Sequence, residues 1–408
     1  MEIGPIFRAL IHQRSRFWLI VLEIALTLAV VANCLHMIRD QRARLLRPTG
    51  IDEENILAVI SAPFAPEFED KDYLRASYEE DLRILRSLPG VIAATAMHQL
   101  PLSDSGSSSG RLSDLPDAEE LSVPFFDSGT DVLRTLGLEL VAGRDFVESD
   151  FRPAGTNGTP ESPEHFNVIV TQELADLFYP DGDALGRPVQ DDEGAEVETI
   201  VGIVSRMHCS WPLSGLVERS MLRPVHPQKS HLTRYAVRAE PGMLDELHAT
   251  AEARLFESNP GRILRVLTLK EIKGWAYGSV IATVRLLVGL SVLLVLVTSL
   301  GIIGLTSFSV NQRTHEIGTR RALGATRLAI LRHFLVENWV VTSSGLALGV
   351  ILTLLLNWAL ARFAGIPRID WPVILFGMLT LWVVGLLAAL APAVRGTTVA
   401  PVVATRSV

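Results

Sequence analysis

Apolar residues are concentrated in four runs along the chain, at 17–38, 279–308, 335–361 and 371–394. A helix needs about 20 apolar residues to cross the hydrocarbon core of a bilayer, so the pattern predicts four transmembrane helices. The first run is too long for a cleavable signal peptide, contains Glu23, and is not followed by a small-residue cleavage site. We therefore interpret it as a helix that stays in the membrane.

Between the first two runs, two stretches share a strand–helix–strand pattern. In both stretches, apolar residues recur at helical spacing between two short apolar strands, and Pro-Gly ends the helix. The predicted elements are strand 56–60, helix 73–88 and strand 91–97, followed much later by strand 235–238, helix 243–257 and strand 263–267. Two such units commonly form one α+β layer, with the helices on one face of the sheet.

The residues between these two units form a strand-rich insertion. A Ser- and Gly-rich stretch at 103–110 is typical of a flexible loop. Beyond it, strands are predicted at 168–171 and 198–204, with a short helix at 172–178. We expect three regions: 1–38 with the first transmembrane helix, an extracytoplasmic domain at 39–277, and 278–408 with the other three helices. Within the domain, 39–110 and 223–277 form one subdomain and 111–222 the other.

Charge divides the chain in the same way and predicts its topology. The net charge is +7 over 278–408 and −16 over 39–277. The loop 309–333 holds five arginines and one acid, and short arginine-rich loops stay cytoplasmic. The N-terminus and the C-terminal tail are also basic, so we expect all three to be cytoplasmic and 39–277 to be outside. The acidic middle also argues against nucleic-acid binding.

The sequence offers little chemistry of its own. Cys34 and Cys209 are the only cysteines and support neither a disulfide framework nor a metal site. Five of the domain histidines, His98, His165, His208, His226 and His231, follow no metal-ligand spacing. No lysine follows a glycine, so a phosphate-binding P-loop is missing. We expect no catalytic residues, no metal and no cofactor bound by this chain.

The loop between the second and third predicted spans carries a helix signal. Thr314 is a predicted N-cap, Gly324 a C-terminal cap, and Thr326 the N-cap of the next helix. These signals predict a short basic helix at the membrane surface, suited to docking on another protein. The alternative is a solvated loop whose arginines serve only to set the topology.

This loop resembles the cytoplasmic segment of MacB/FtsX-type ABC transporter permeases, Arg-x-x-Glu-Ile-Gly-x-Arg-(Arg/Lys)-Ala-Leu-Gly-Ala. The matching residues are Arg313, Glu316, Ile317, Gly318, Arg320, Arg321, Ala322, Leu323, Gly324 and Ala325. Thr319 departs from the branched apolar residue that is usual there. Weaker similarities occur at 137–146, 167–189 and 200–204, and in a degraded closing segment at 391–401.

The resemblance implies a fold and a function. It implies an α-helical membrane protein with four transmembrane helices and an inserted α+β extracytoplasmic domain, in which 39–110 with 223–277 is porter-like and 111–222 is sabre-like. It implies a non-catalytic permease subunit in the bacterial inner membrane, with its large domain in the periplasm. The matched loop residues, apart from Ala322, would then couple the chain to an ATPase.

The resemblance also implies partners. These are a separate cytoplasmic ABC ATPase that binds ATP and Mg²⁺, a second permease copy or a paralogue, a periplasmic adaptor protein, an outer-membrane channel, and membrane lipid. ATP-driven closure would move the periplasmic domain and expel a substrate, a mechanism known as mechanotransmission. Two other readings remain: an FtsX-like regulator of an extracytoplasmic enzyme, and a membrane-anchored enzyme.

Overall fold

The computed structural model describes residues 14–115, 118–151, 164–191, 196–211, 213–225 and 232–398. The helices are α1 (Arg14–Leu45), α2 (Lys71–Ser87), α3 (Val132–Leu136), α4 (Gln172–Phe178), α5 (Leu244–Ser258), α6 (Leu269–Ala276), α7 (Gly278–Gln312), α8 (Thr314–Ala322), α9 (Arg327–Ala364) and α10 (Trp371–Thr397). The strands are β1 (Ile56–Pro63), β2 (Val91–Met97), β3 (Ser107–Ser113), β4 (Leu121–Asp127), β5 (Leu140–Gly143), β6 (Glu164–Thr171), β7 (Pro188–Asp191), β8 (Glu196–Val204), β9 (Met221–Arg223), β10 (Thr233–Ala239) and β11 (Arg262–Thr268).

Four helices of the described chain are long and apolar enough to cross a membrane, as predicted. They are Phe17–Leu45, Gly278–Gln312, Arg327–Phe363 and Trp371–Thr397. The first helix extends beyond the apolar run because good helix formers follow Ile38, and Asp40 pairs with Arg44 one turn later. The chain divides into two compact units: Met1–Leu46 with Val280–Val408 forms one, and Arg47–Ser279 forms the other.

Small residues let the membrane helices approach closely. A Cβ atom added to Gly345 of α9 would lie 2.8 Å from Cβ of Ile24 in α1, and one added to Gly349 would lie 3.0 Å from Cβ of Leu28. Such contacts leave no room for a side chain, which is the usual reason for Gly-x-x-x-Gly in membrane helices. The Gly345–Gly349 pair therefore forms the contact surface between α1 and α9.

The inserted domain contains an antiparallel sheet built from both ends of its sequence. The strand order is β11-β1-β10-β2. Helices α2 and α5 cover one face, where their apolar side chains share one core with Leu57, Val59 and Val237. Because successive strand residues point to opposite faces, Ile56 and Ala58 of β1 belong instead to a second core.

The second core joins this sheet to a larger one. It combines Ile56, Ala58 and Ala236 with Phe126 and Val204 of the larger sheet, along with other apolar residues. The larger sheet has seven strands in the order β5-β8-β6-β9-β4-β3-β7, and β7 also pairs with β8. Strands β8, β6, β9, β4, β3 and β7 thus form a closed ring, which leaves few free strand edges.

The structure corrects the predicted loop at 103–110. Residues Ser107–Ser113 form strand β3, which pairs with β4 on one side and β7 on the other. The Ser-rich composition does not prevent this, because Arg111 is buried and its Nε donates to Glu198 of β8 at 2.8 Å. The strands β3 and β9 both belong to the seven-stranded sheet, so this sheet begins before 111 and ends after 222.

Candidate functional site

The segment 313–325, called here the coupling segment, connects two membrane helices through the short helix α8. Arg313 leaves helical geometry after α7, and α8 then runs from Thr314 to Ala322. Thr314 is not the predicted N-cap, because its hydroxyl donates back to the carbonyls of Val310 and Asn311. The N-cap position is Arg313, and its side chain makes no capping hydrogen bond.

The end of α8 follows the predicted signals. Gly324 has a φ of +98°, a conformation that side chains rarely tolerate. The amides of Gly324 and Ala325 donate to the carbonyls of Arg321 and Arg320, which closes the last turn. The hydroxyl of Thr326 then accepts from the amide of Ala329 at 3.2 Å and caps α9, as expected.

The inner face of α8 packs on three of the membrane helices. Ile317 is buried in a cluster with Val310 of α7, Ile330 and Phe334 of α9, and Ala393 of α10. Gly318 is buried beside it. A displacement of α8 would therefore disturb contacts with all three spans, because packed side chains resist separation.

Two arginines of the segment fasten it further. The guanidinium of Arg313 donates to the carboxylate of Glu337 in α9 at 3.0 Å, and both side chains are mostly buried. The guanidinium of Arg321 donates to the carbonyl of Thr397 in the last turn of α10 at 3.1 Å. The second contact also satisfies a carbonyl at a helix C-terminus, where positive charge is favoured.

The outer face of the segment is polar apart from Leu323 and the small Ala322. Glu316 pairs with Arg320 four residues later, and about half of each side chain is exposed. Leu323 is 84% exposed at the end of α8. An apolar side chain of this size that is so fully exposed is available for contact with a partner.

Between α8 and the start of α9 lies an open cleft of about 130 Å³. Its lining residues are Arg313, Glu316, Ile317, Arg320, Ala325, Ala329, Ile330, His333 and Phe334. Apolar side chains form the floor, and charged ones stand at the rim. We call it the α8–α9 cleft.

The predicted site residues thus take different positions. Arg313, Glu316, Ile317, Arg320 and Ala325 line the α8–α9 cleft, whereas Gly318 is buried and Arg321 contacts α10. Leu323 and Gly324 are exposed at the helix end. Sequence reasoning missed Glu337, although a single acid in an apolar helix is itself a signal of a specific partner. It also missed His333 and Phe334, which look like ordinary residues of a membrane helix.

The histidines do not converge on one site in the described part of the chain. His226, His231 and the side chain of His165 lie outside it, and no group of three or more His, Cys, Asp or Glu side chains there is placed to hold a metal ion. His208 is buried, and burial lowers its pKa to about 4, helped by the nearby cations Arg47, Lys273 and Arg206. It is a neutral core residue at neutral pH.

Comparison with known proteins agrees with this architecture. Residues 288–401 match the family described as FtsX-like permease C-terminal. The chain is 27% identical to the uncharacterized ABC transporter permease YknZ of Bacillus subtilis, over 66% of each protein. It is 23% identical to the uncharacterized permease YvrN of the same organism, over 98% of each.

MacB proteins are also similar. Identity to the macrolide export ATP-binding/permease protein MacB of Chromobacterium violaceum is 26%, over 58% of this chain and 35% of that protein. Of the MacB 2 protein of Aeromonas hydrophila the chain spans 52%. Among solved structures, the periplasmic region of MacB from Actinobacillus actinomycetemcomitans matches 55% of this chain at 14% identity, with a TM-score of 0.35.

Four membrane helices, an α+β domain inserted after the first, and a helical loop between the second and third define a multi-pass membrane protein. The family match covers the membrane region that contains this loop, and the relatives extend the similarity through the inserted domain. The chain is therefore similar to the MacB/FtsX-type ABC transporter permeases.

Proposed function

We propose that the chain is the permease subunit of a MacB-type ABC transporter that works by mechanotransmission. A separate cytoplasmic ATPase binds ATP and Mg²⁺ and docks on the coupling segment. Its closure moves the membrane helices and, through them, the inserted domain in the periplasm, which expels a substrate. The subunit itself carries no catalytic step.

The observation that supports this proposal is the attachment of α8. Its inner face packs on α7, α9 and α10, and Arg313 and Arg321 fasten it to α9 and α10. Its outer face presents Leu323. A loop that served only as a topology signal would need its positive charges but not this attachment. A helix bound on one side to three spans and exposed on the other can pass a force from a soluble partner to the membrane region.

The wider assembly follows from the same proposal. We expect a dimer of permeases, identical or paralogous, in the bacterial inner membrane, together with a periplasmic adaptor protein and an outer-membrane channel. The relatives named as macrolide exporters suggest efflux.

Substitution of the exposed residues tests the coupling role. We expect Leu323→Asp and Glu316→Lys to abolish resistance in a panel of exported drugs while membrane levels and dimerisation stay normal. Leu46 directly follows the C-terminus of α1, lies outside the coupling segment and is 80% exposed, so it offers a matched control. Leu46→Asp should leave resistance unchanged. Normal resistance with both coupling variants would show that the loop is only a topology signal.

A further inference from the structure

Resting on the proposed docking, we propose that the α8–α9 cleft receives one large apolar side chain of the ATPase, next to a carboxylate that pairs with Arg320. The contact would then be reciprocal. Leu323 of this chain contacts the partner, and an apolar residue of the partner enters the cleft. This assigns a binding role to residues of α9, which lie outside the loop motif.

The size and lining of the cleft favour a single apolar side chain. Its volume of about 130 Å³ is close to that of the engineered cavity of about 150 Å³ in another protein, which takes up benzene. Ile317, Ile330 and Phe334 form its floor. Ala325 and Ala329 stand on its walls, where their small side chains leave the space open.

The structure holds the cleft in shape. The turn at Gly324 and the capped start of α9 separate the two helices by a fixed short connection. The ion pair between Arg313 and Glu337 then fastens the start of α8 to α9 more than two turns further along. The cleft lies between these two fixed points, so a partner meets a preformed site and loses little entropy in ordering it.

The charges around the cleft favour an acidic protein surface. Arg320 lines the cleft, and Arg327 and Arg332 are exposed on the first turns of α9, the helix that supplies one of its walls. Among the described residues, Arg320 pairs with Glu316, in a surface ion pair of the kind worth about 0–1 kcal/mol. A carboxylate from the partner can therefore share or replace Glu316 at small cost. A partner with an apolar residue flanked by acids fits both the floor and the rim.

Filling the cleft tests the proposal. The full chain in lipid nanodiscs would be titrated with the fluorescently labelled ABC ATPase that co-purifies with it. We expect Ala329→Trp and the smaller change Ala325→Leu to weaken association about tenfold or more, because the lost contact is the burial of a large apolar side chain. Ala282 is exposed near the start of α7, at the opposite end of that helix from the coupling segment, so Ala282→Trp is the matched control and should change association less than about twofold. Arg320→Gln should reduce the salt sensitivity of binding.

The outcomes separate this inference from the proposed function. If Leu323→Asp releases the ATPase but both cleft variants bind it normally, the cleft proposal is wrong and the docking proposal stands. If none of the three variants changes binding, both are wrong. If the cleft variants bind normally but lose a lipid seen by native mass spectrometry in the unaltered chain, the occupant is a lipid and the proposal is overturned. If Ala329→Trp proves unstable by thermal unfolding, Ala325→Leu decides the question.

Discussion

Neutralising Asp81 should strongly destabilise the inserted domain. Asp81 of α2 is buried and accepts two hydrogen bonds from the guanidinium of Arg262, at the start of β11. The same guanidinium donates to the carbonyl of Leu255 in α5 at 2.9 Å. The hydroxyl of Tyr235 donates to Asp81 at 2.8 Å, and burial together with this carboxylate raises the pKa of the tyrosine. One ion pair therefore joins helices and strands from the two ends of the domain sequence.

The magnitude follows from the burial of both partners. Asp81→Asn keeps the shape but leaves a guanidinium that is 1% exposed without a counter-charge. Breaking a buried pair on one side costs about 3–5 kcal/mol, which corresponds to a fall in Tm of roughly 6–20 °C for a domain of about 150–250 residues. Tyr235→Phe removes one hydrogen bond to a charged group and should cost about 1.5–3 kcal/mol. The double change Asp81→Leu with Arg262→Met should recover much of the loss, since both charges are then gone.

Urea-dependent pulse proteolysis of the full chain in nanodiscs measures this free energy of unfolding, read from cleavage within the inserted domain. The control pair is Arg75 and Glu79, which lies on the same helix but is mostly exposed. Glu79→Gln should cost less than about 0.5 kcal/mol. A loss below about 1 kcal/mol for Asp81→Asn, or no recovery in the double variant, would refute the reasoning.

Three further predictions use the same preparation. The pKa of His208 is lowered to about 4, whereas that of an unfolded histidine is about 6.5, so between these values only the unfolded chain takes up this proton. The free energy of unfolding should therefore fall as the pH drops from 6.5 towards 4. His208→Leu should reduce this pH dependence, measured by pulse proteolysis at pH 7.5 and 5.0. Gly349→Val should lower the thermal stability of the solubilised chain, because the added side chain would overpack against α1. Gly304 has open space around it, so Gly304→Val should not lower the stability, and equal effects of the two changes would contradict the packing argument. Cysteines introduced at Asp181 and Thr319 should be labelled from outside and inside the cell respectively, and the reverse would overturn the topology.

Local signals in the sequence accounted for many of the elements but not for all of them. The helix predicted at 172–178 is α4 with the same ends, because an apolar face and flanking breakers define it locally. The strand β3 was missed because its Ser-rich composition has low strand propensity, and its pairing with β4 and β7 prevails. At the coupling segment, the motif indicated the loop residues, but Glu337 is 24 positions from Arg313 and only the fold brings them together.

The sequence by itself determined the number of membrane helices, the place of the inserted domain and the short helix between two spans. Each of these depends on hydropathy, on capping residues or on charge within a single stretch of chain, so no distant contact is needed to see them. The tertiary structure alone decided that β1 lies between β10 and β11, that β7 closes a ring with β8, and that Arg262 meets Asp81. These contacts join residues far apart in sequence. Their energies come from burial and geometry that exist only once the chain has packed.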